Sequence, residues 1–211
     1  MRRIYGLTIP LLLLAALPVY AVPVDFVATL TGPNEVPPTT SPGIGFALVT
    51  FDPEANTLRV QATFSGLVSA TDTGAPSGVT AAHIHCCLPP PPAPQVAGVA
   101  TVLPIFTGFP MGPTVRSGSY DRTFDTEPAV AADTYNPAFV AANGGTVAAA
   151  EAVLFAGMLA GRTYFNIHTN QFPGGEIRGT LLATPEPGTL LLLAAGLAGV
   201  GVRTRTRRHA A

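Results

Sequence analysis

Along the middle of this 211-residue chain, short runs of alternating apolar and polar residues recur, most of them bounded by proline, glycine or asparagine. This feature limits the fold most, because a period of two suits a half-buried strand and does not suit a helix. VDFVATLTG (24–32) is the first such run, and the turn-rich PNEVPPTTSPG after it cannot continue a strand. GFALVTF (45–51) and TLRVQATF (57–64) follow, joined by DPEAN as a hairpin with a longer loop. VTAAHIHC (79–86) is stopped by the prolines from position 89 onward, which lack the N–H that a ladder needs. VAGVATVLPIF (96–106) and SGSYDRTFD (117–125) are weaker strand candidates, and YFNIHT (164–169) and EIRGTLLAT (176–184) resume the alternation around an NQFPGG turn. Only one region changes period. NPAFVAANGG (136–145) has Asn136 placed as an N-cap, Pro137 at the first helical position and Gly144 as a stop. TVAAAEAVLFAGMLAG (146–161) has helical spacing, with Gly161 just past its end. The expected fold is mainly β: an antiparallel β-sandwich or Greek-key-like barrel with a short helical insertion around 136–161.

The two ends are segments of another kind. Residues 1–21 combine Arg2 and Arg3, an apolar run from Ile4 to Leu17 and a small-residue site ending at Ala21. That order is expected of a secretory signal peptide, removed by signal peptidase. At the far end Pro185, Glu186 and Pro187 precede an uncharged run (188–202) and then Arg203, Arg205, Arg207 and Arg208. The run is shorter than the roughly 20 residues of a comfortable membrane span, and the arginines suit a cytoplasmic end. Residues 185–211 closely resemble the PEP-CTERM sorting signal of Gram-negative bacteria. The resemblance implies recognition by an exosortase and cleavage near the Pro-Glu-Pro triplet. Delivery would then be to the cell surface or extracellular matrix, with membrane contact only through the unprocessed tail. A plain C-terminal anchor is the simpler alternative.

Residues 22–184 remain as one domain. They hold five arginines, no lysine and eleven acidic residues, a formal charge of −6. Such a balance excludes nucleic acid as a partner, since phosphate neutralisation supplies most of that affinity. NEVPP (34–38), AAHIH (81–85), YFNIHT (164–169) and FPGGEIRGTL (172–181) together resemble the marks of the CHRD domain, named after chordin. The resemblance implies a β-rich extracellular domain and does not supply a reaction.

AAHIHCC (81–87) concentrates the potential chemistry. On a regular strand His83, His85 and Cys87 share one face while Ile84 and Cys86 take the other. On the YFNIHT strand Asn166 and His168 share a face opposite Phe165 and Ile167. Were the two strands neighbours, His83, His85 and His168 would form an imidazole cluster suited to copper or zinc, with Asn166 or Glu176 orienting a ring. The alternative is that the rings only hydrogen-bond loop carbonyls. For Cys86 and Cys87, export permits a disulfide, but adjacent α-carbons lie about 3.8 Å apart, below the usual range of about 4.4–6.8 Å. Four outcomes stay open: a vicinal disulfide, free buried thiols, bonds to another molecule, or Cys87 as a thiolate ligand beside the imidazoles.

No catalytic constellation is evident. The expected function is therefore that of an exported, exosortase-sorted surface or matrix module, a partner of surface polysaccharide or matrix components and a candidate holder of one transition metal. The rival is a mononuclear copper or zinc redox enzyme. His-x-His with GGEIRG is faintly similar to copper–zinc superoxide dismutase, but that enzyme uses six histidines and an aspartate, and residues 22–184 hold three histidines. Arg178 would steer an anion in that variant, or else pair with Glu176 or another acid. Phe106, Phe109 and Met111 mark either a packed loop or an exposed sugar-binding patch.

Overall fold

The computed structural model describes residues 23–68, 77–90, 95–129 and 131–184. The signal peptide and sorting segment read from the sequence lie outside them. Where the alternation is cleanest, strands form as expected. In β3 (Thr57–Ser65) Leu58, Val60, Ala62 and Phe64 are buried while the residues between them are not. It pairs with β2 (Ile44–Asp52), which pairs with β1 (Val24–Thr31), so that Phe26, Val49 and Val60 fall in one row.

The remaining strands are β4 (Val79–Cys86), β5 (Gly118–Asp125), β6 (Thr163–Thr169), β7 (Ile177–Thr180) and β8 (Leu182–Ala183). All join one antiparallel sheet in the order β4-β6-β7-β1-β2-β3-β5, with β8 also on β1, and the sheet curls into a half-barrel. The run EIRGTLLAT thus becomes two strands. Leu181 between them turns fully into the core, its N–H donating to Thr163 O at 3.0 Å.

The helical insertion is two helices, α1 (Pro137–Ala142) and α2 (Val147–Leu159). Asn136 caps the first by accepting from the Ala138 N–H at 3.0 Å. Gly144 and Gly145, at φ 95° and 72°, break the chain before Thr146 caps the second. Helix α2 lies on the inner face of the sheet, where Phe155 meets Phe51 with ring centroids 5.0 Å apart and Leu154 and Met158 are fully buried.

The run 96–106 forms no strand. Val99 and Ile105 make isolated bridges to His85 and Ala82 of β4, and Thr101 makes one to Tyr135; proline at 104 lacks the donor for a longer ladder. This segment fills the open side of the curl. Phe106 lies 5.7 Å from Phe165 of β6 and 5.5 Å from Phe124 of β5, joining the two ends of the sheet through one aromatic cluster. Phe106 and Phe109 are buried and Met111 is exposed, so the aromatic residues of IFTGFPMG belong to a packed loop.

Candidate metal centre

Strands β4 and β6 are direct neighbours, in a register that pairs Ala81 with His168, His83 with Asn166 and His85 with Tyr164. Strand parity then divides their side chains. Ala82, Ile84, Phe165 and Ile167 enter the core, all fully buried. His83, His85, Tyr164, Asn166 and His168 share the other face. That face is covered too: the three histidines are only 4, 8 and 9% exposed, in sequence order.

The three rings converge. One ring nitrogen from each lies within 4.8 Å of the others, and His83 Nδ1 faces His85 Nε2 at 3.3 Å. Two nitrogens bound to a tetrahedral zinc at about 2.0–2.1 Å lie about 3.3–3.4 Å from each other, so this pair already has the edge length of a site.

The outer nitrogens settle which atoms face inward. His85 Nδ1 donates to Ala97 O at 2.8 Å and His168 Nδ1 donates to Pro173 O at 2.9 Å. A carbonyl only accepts, so those nitrogens carry the protons and Nε2 of each ring presents a lone pair. His83 bonds the backbone of Pro104, which has no N–H to offer and therefore also accepts. His83 Nδ1 meets the His85 Nε2 lone pair at 3.3 Å. Carbonyls thus anchor the rings of His85 and His168 and aim their Nε2 lone pairs inward, beside His83 Nδ1, as in metal-ligating histidines generally.

Electrostatics agree with this arrangement. Burial, reinforced by the neighbouring rings, pushes His83 down to about 3; burial pushes His85 down to about 4 and lowers His168 as well. At neutral pH all three are the uncharged imidazoles that bind metals.

Around them stand Tyr164 of β6 and residues from two other segments. Tyr164 stacks on His85 with centroids 4.5 Å apart, and the Arg178 guanidinium sits 4.4 Å above the Tyr164 ring. Arg178 donates through Nε to Asn34 O at 2.6 Å and lies 3.9 Å from Glu35. Its acid is therefore Glu35 and not Glu176. Glu35 follows the 3₁₀ turn Gly32–Asn34 and is 4% exposed, with Oε1 lacking a hydrogen-bond partner. Burial raises it to about 7, against the pull of Arg178 and of the Asn166 amide beside it.

Two of the residues read from the sequence fall elsewhere. The strand ends at Cys86, so Cys87 does not continue the histidine face. Its sulfur is bonded to that of Cys86, and both lie where a Cβ on Gly157 of α2 would be, at 2.6 and 2.7 Å. Cys87 is no ligand here. Glu176 precedes regular β7 and turns to Ser41 Oγ (2.6 Å), Val68 N (2.7 Å) and Thr169 Oγ1 (2.5 Å), so it orients no imidazole.

A sequence model of the CHRD domain matches residues 26–181. The chain belongs to the CHRD domain family. A second model, the PEP-CTERM protein-sorting motif, matches residues 183–208 and marks export in Gram-negative bacteria, with processing by exosortase and a membrane-anchoring C-terminal tail. No curated protein and no solved structure matches the chain. Within the CHRD domain the four motifs of the resemblance meet at this one place: NEVPP brings Glu35, AAHIH the first two histidines, YFNIHT brings Tyr164, Asn166 and His168, and FPGGEIRGTL brings Gly175 and Arg178. The sequence reading gave Tyr164 no role and did not place Glu35 beside the histidines; their membership of those motifs was the available signal.

Proposed function

We propose that this exported CHRD domain is a surface or matrix module that holds one zinc or copper ion through His83, His85 and His168. The observation that carries the proposal is the set of three buried, neutral imidazoles whose ring nitrogens converge, two of them with outer nitrogens donating to carbonyls. Burial of all three rings supports a closed site that keeps or stabilises with its metal, since catalytic zinc sites leave a position open to water. A module without catalysis is therefore favoured over the redox enzyme. Its partners in export are signal peptidase and exosortase, and at its destination surface polysaccharide or matrix components. The test is metal analysis of the protein recovered after export and purified without a polyhistidine tag, beside His83→Ala/His85→Ala/His168→Ala. About one equivalent of zinc or copper in the parent, absent from a folded variant, supports the reading. No metal in the parent, even after incubation with both ions, overturns it.

A further inference from the structure

His168 poses a problem that three imidazoles alone do not solve. Its Nδ1 proton is committed to Pro173 O, so Nε2 of the neutral ring holds a lone pair. Yet 3.1 Å from that nitrogen stands Asn166 Oδ1, which also holds only lone pairs. Two electron-pair donors facing each other in a buried place repel unless a cation lies between them. The distance is close to the ligand–ligand edge of about 3.3 Å in a four-coordinate site.

Turning the amide over would relieve the contact, but the other end of Asn166 has its own requirement. Its Nδ2 sits beside Gly175, 2.9 Å from where a Cβ on that residue would be, and Glu35 Oε1 crowds the same spot. Oε1 is a buried carboxylate oxygen without a hydrogen-bond partner, and it calls for a donor, not a second oxygen. The absence of a side chain at Gly175 lets both groups approach. The same amide is within bonding reach of His83 and His85. In the register it stands between His83 on β4 and Arg178 on β7.

We infer that Asn166 supplies the fourth ligand of the site through Oδ1, with Glu35 holding the amide in that orientation. The donor set is then three nitrogens and one oxygen, closed by the protein without water. This rests on the metal reading above, and the experiment separates the two. Co²⁺ is titrated into the full exported protein, into Asn166→Ala, Glu35→Gln and Asn166→Asp/Glu35→Gln, and into the triple histidine variant, with visible absorption reporting the donor set. Circular dichroism checks each fold.

The parent is expected to take one equivalent and the histidine variant none. Asn166→Ala is expected to lose at least the ~10–100-fold that an outer partner alone costs, with a changed cobalt spectrum. Asn166→Asp retains an oxygen donor but turns a second oxygen to Glu35, so it is made in the Glu35→Gln background, where it binds more tightly than Glu35→Gln alone and with the parental spectrum. Glu35→Gln weakens binding and keeps the spectrum, as a positioning residue should. Parental affinity and spectrum in Asn166→Ala overturn the fourth ligand and leave the metal reading standing. A parent that takes no Co²⁺, Zn²⁺ or Cu²⁺ overturns both. Should Asn166→Ala unfold, Asn166→Asp/Glu35→Gln decides: tighter binding than Glu35→Gln alone supports the ligand, equal or weaker binding overturns it.

Discussion

Strands β3 and β6 belong to one sheet and come from similar alternating sequence, yet they are buried in different ways. In β3 only every second residue is covered, and its outer face carries Arg59, paired with Asp121 at 2.7 Å in the open. In β6 all seven residues are buried. Its inner face is apolar and is held by the hydrophobic effect, which increases with every apolar atom removed from water. Its outer face takes Tyr164, Asn166 and His168 out of water, each needing a partner to offset its lost hydration. The difference teaches where stability and function separate. Burying polar groups that an apolar set would replace at no loss is a cost, and here the cost falls where four motifs of the family meet.

Substitutions on the two faces of β6 should therefore diverge. Phe165→Ala on the inner face is expected to lower unfolding stability by about 3–5 kcal/mol, measured by denaturant titration. The triple histidine variant, unfolded without metal, should lose much less. Added metal should reverse the ranking. With free zinc at about 100 times its dissociation constant, the parent should gain about 2.7 kcal/mol and the histidine variant nothing.

Gly175→Ala should be intermediate. Its φ of 126° is one that alanine rarely adopts, and the new Cβ would displace Glu35. A loss of roughly 1–2 kcal/mol with weakened zinc binding is expected, because the same Cβ would crowd Asn166 Nδ2 at 2.9 Å.

The pH dependence is a gentler probe. An imidazole protonates near 6.5 in the unfolded chain, whereas His83 and His85 are held at about 3 and about 4 when folded. Between those limits the unfolded state binds more protons, so metal-free stability rises with pH and is lost as pH falls. Glu35 works the other way. Raised to about 7 from its ordinary 4.5, it binds more protons when folded and takes stability away as pH rises between those values. The two histidines outweigh it, so the net slope is upward, and Glu35→Gln should steepen it between pH 4.5 and 7. A flat profile in the parent would break the account of the outer face. Arg59→Ala, on the exposed side of β3, should leave the unfolding midpoint unchanged within replicate error, because an exposed ion pair contributes little.

The sequence made the two faces legible in unequal measure. Alternation located β1, β2, β3 and β5, and Asn136 with Pro137 marked the first helix, because these signals are local. Strand parity put Asn166 and His168 opposite Phe165 and Ile167, and the structure has that arrangement. Parity failed at Cys87, where the strand ends one residue earlier, and at Glu176, which precedes the regular part of β7. Glu35 was hidden for another reason. It lies in a proline-rich turn with no periodicity, and only long-range folding sets it beside Gly175. The anchoring carbonyls of Ala97, Pro104 and Pro173 are backbone groups, which no side-chain pattern records.

X-ray absorption at the zinc edge of the zinc-loaded protein tests the central claim most directly. The account predicts one zinc with three imidazoles and one oxygen at about 2.0–2.1 Å, and no sulfur. A sulfur ligand at about 2.3 Å, fewer than three imidazoles, or failure to load zinc at all would contradict it.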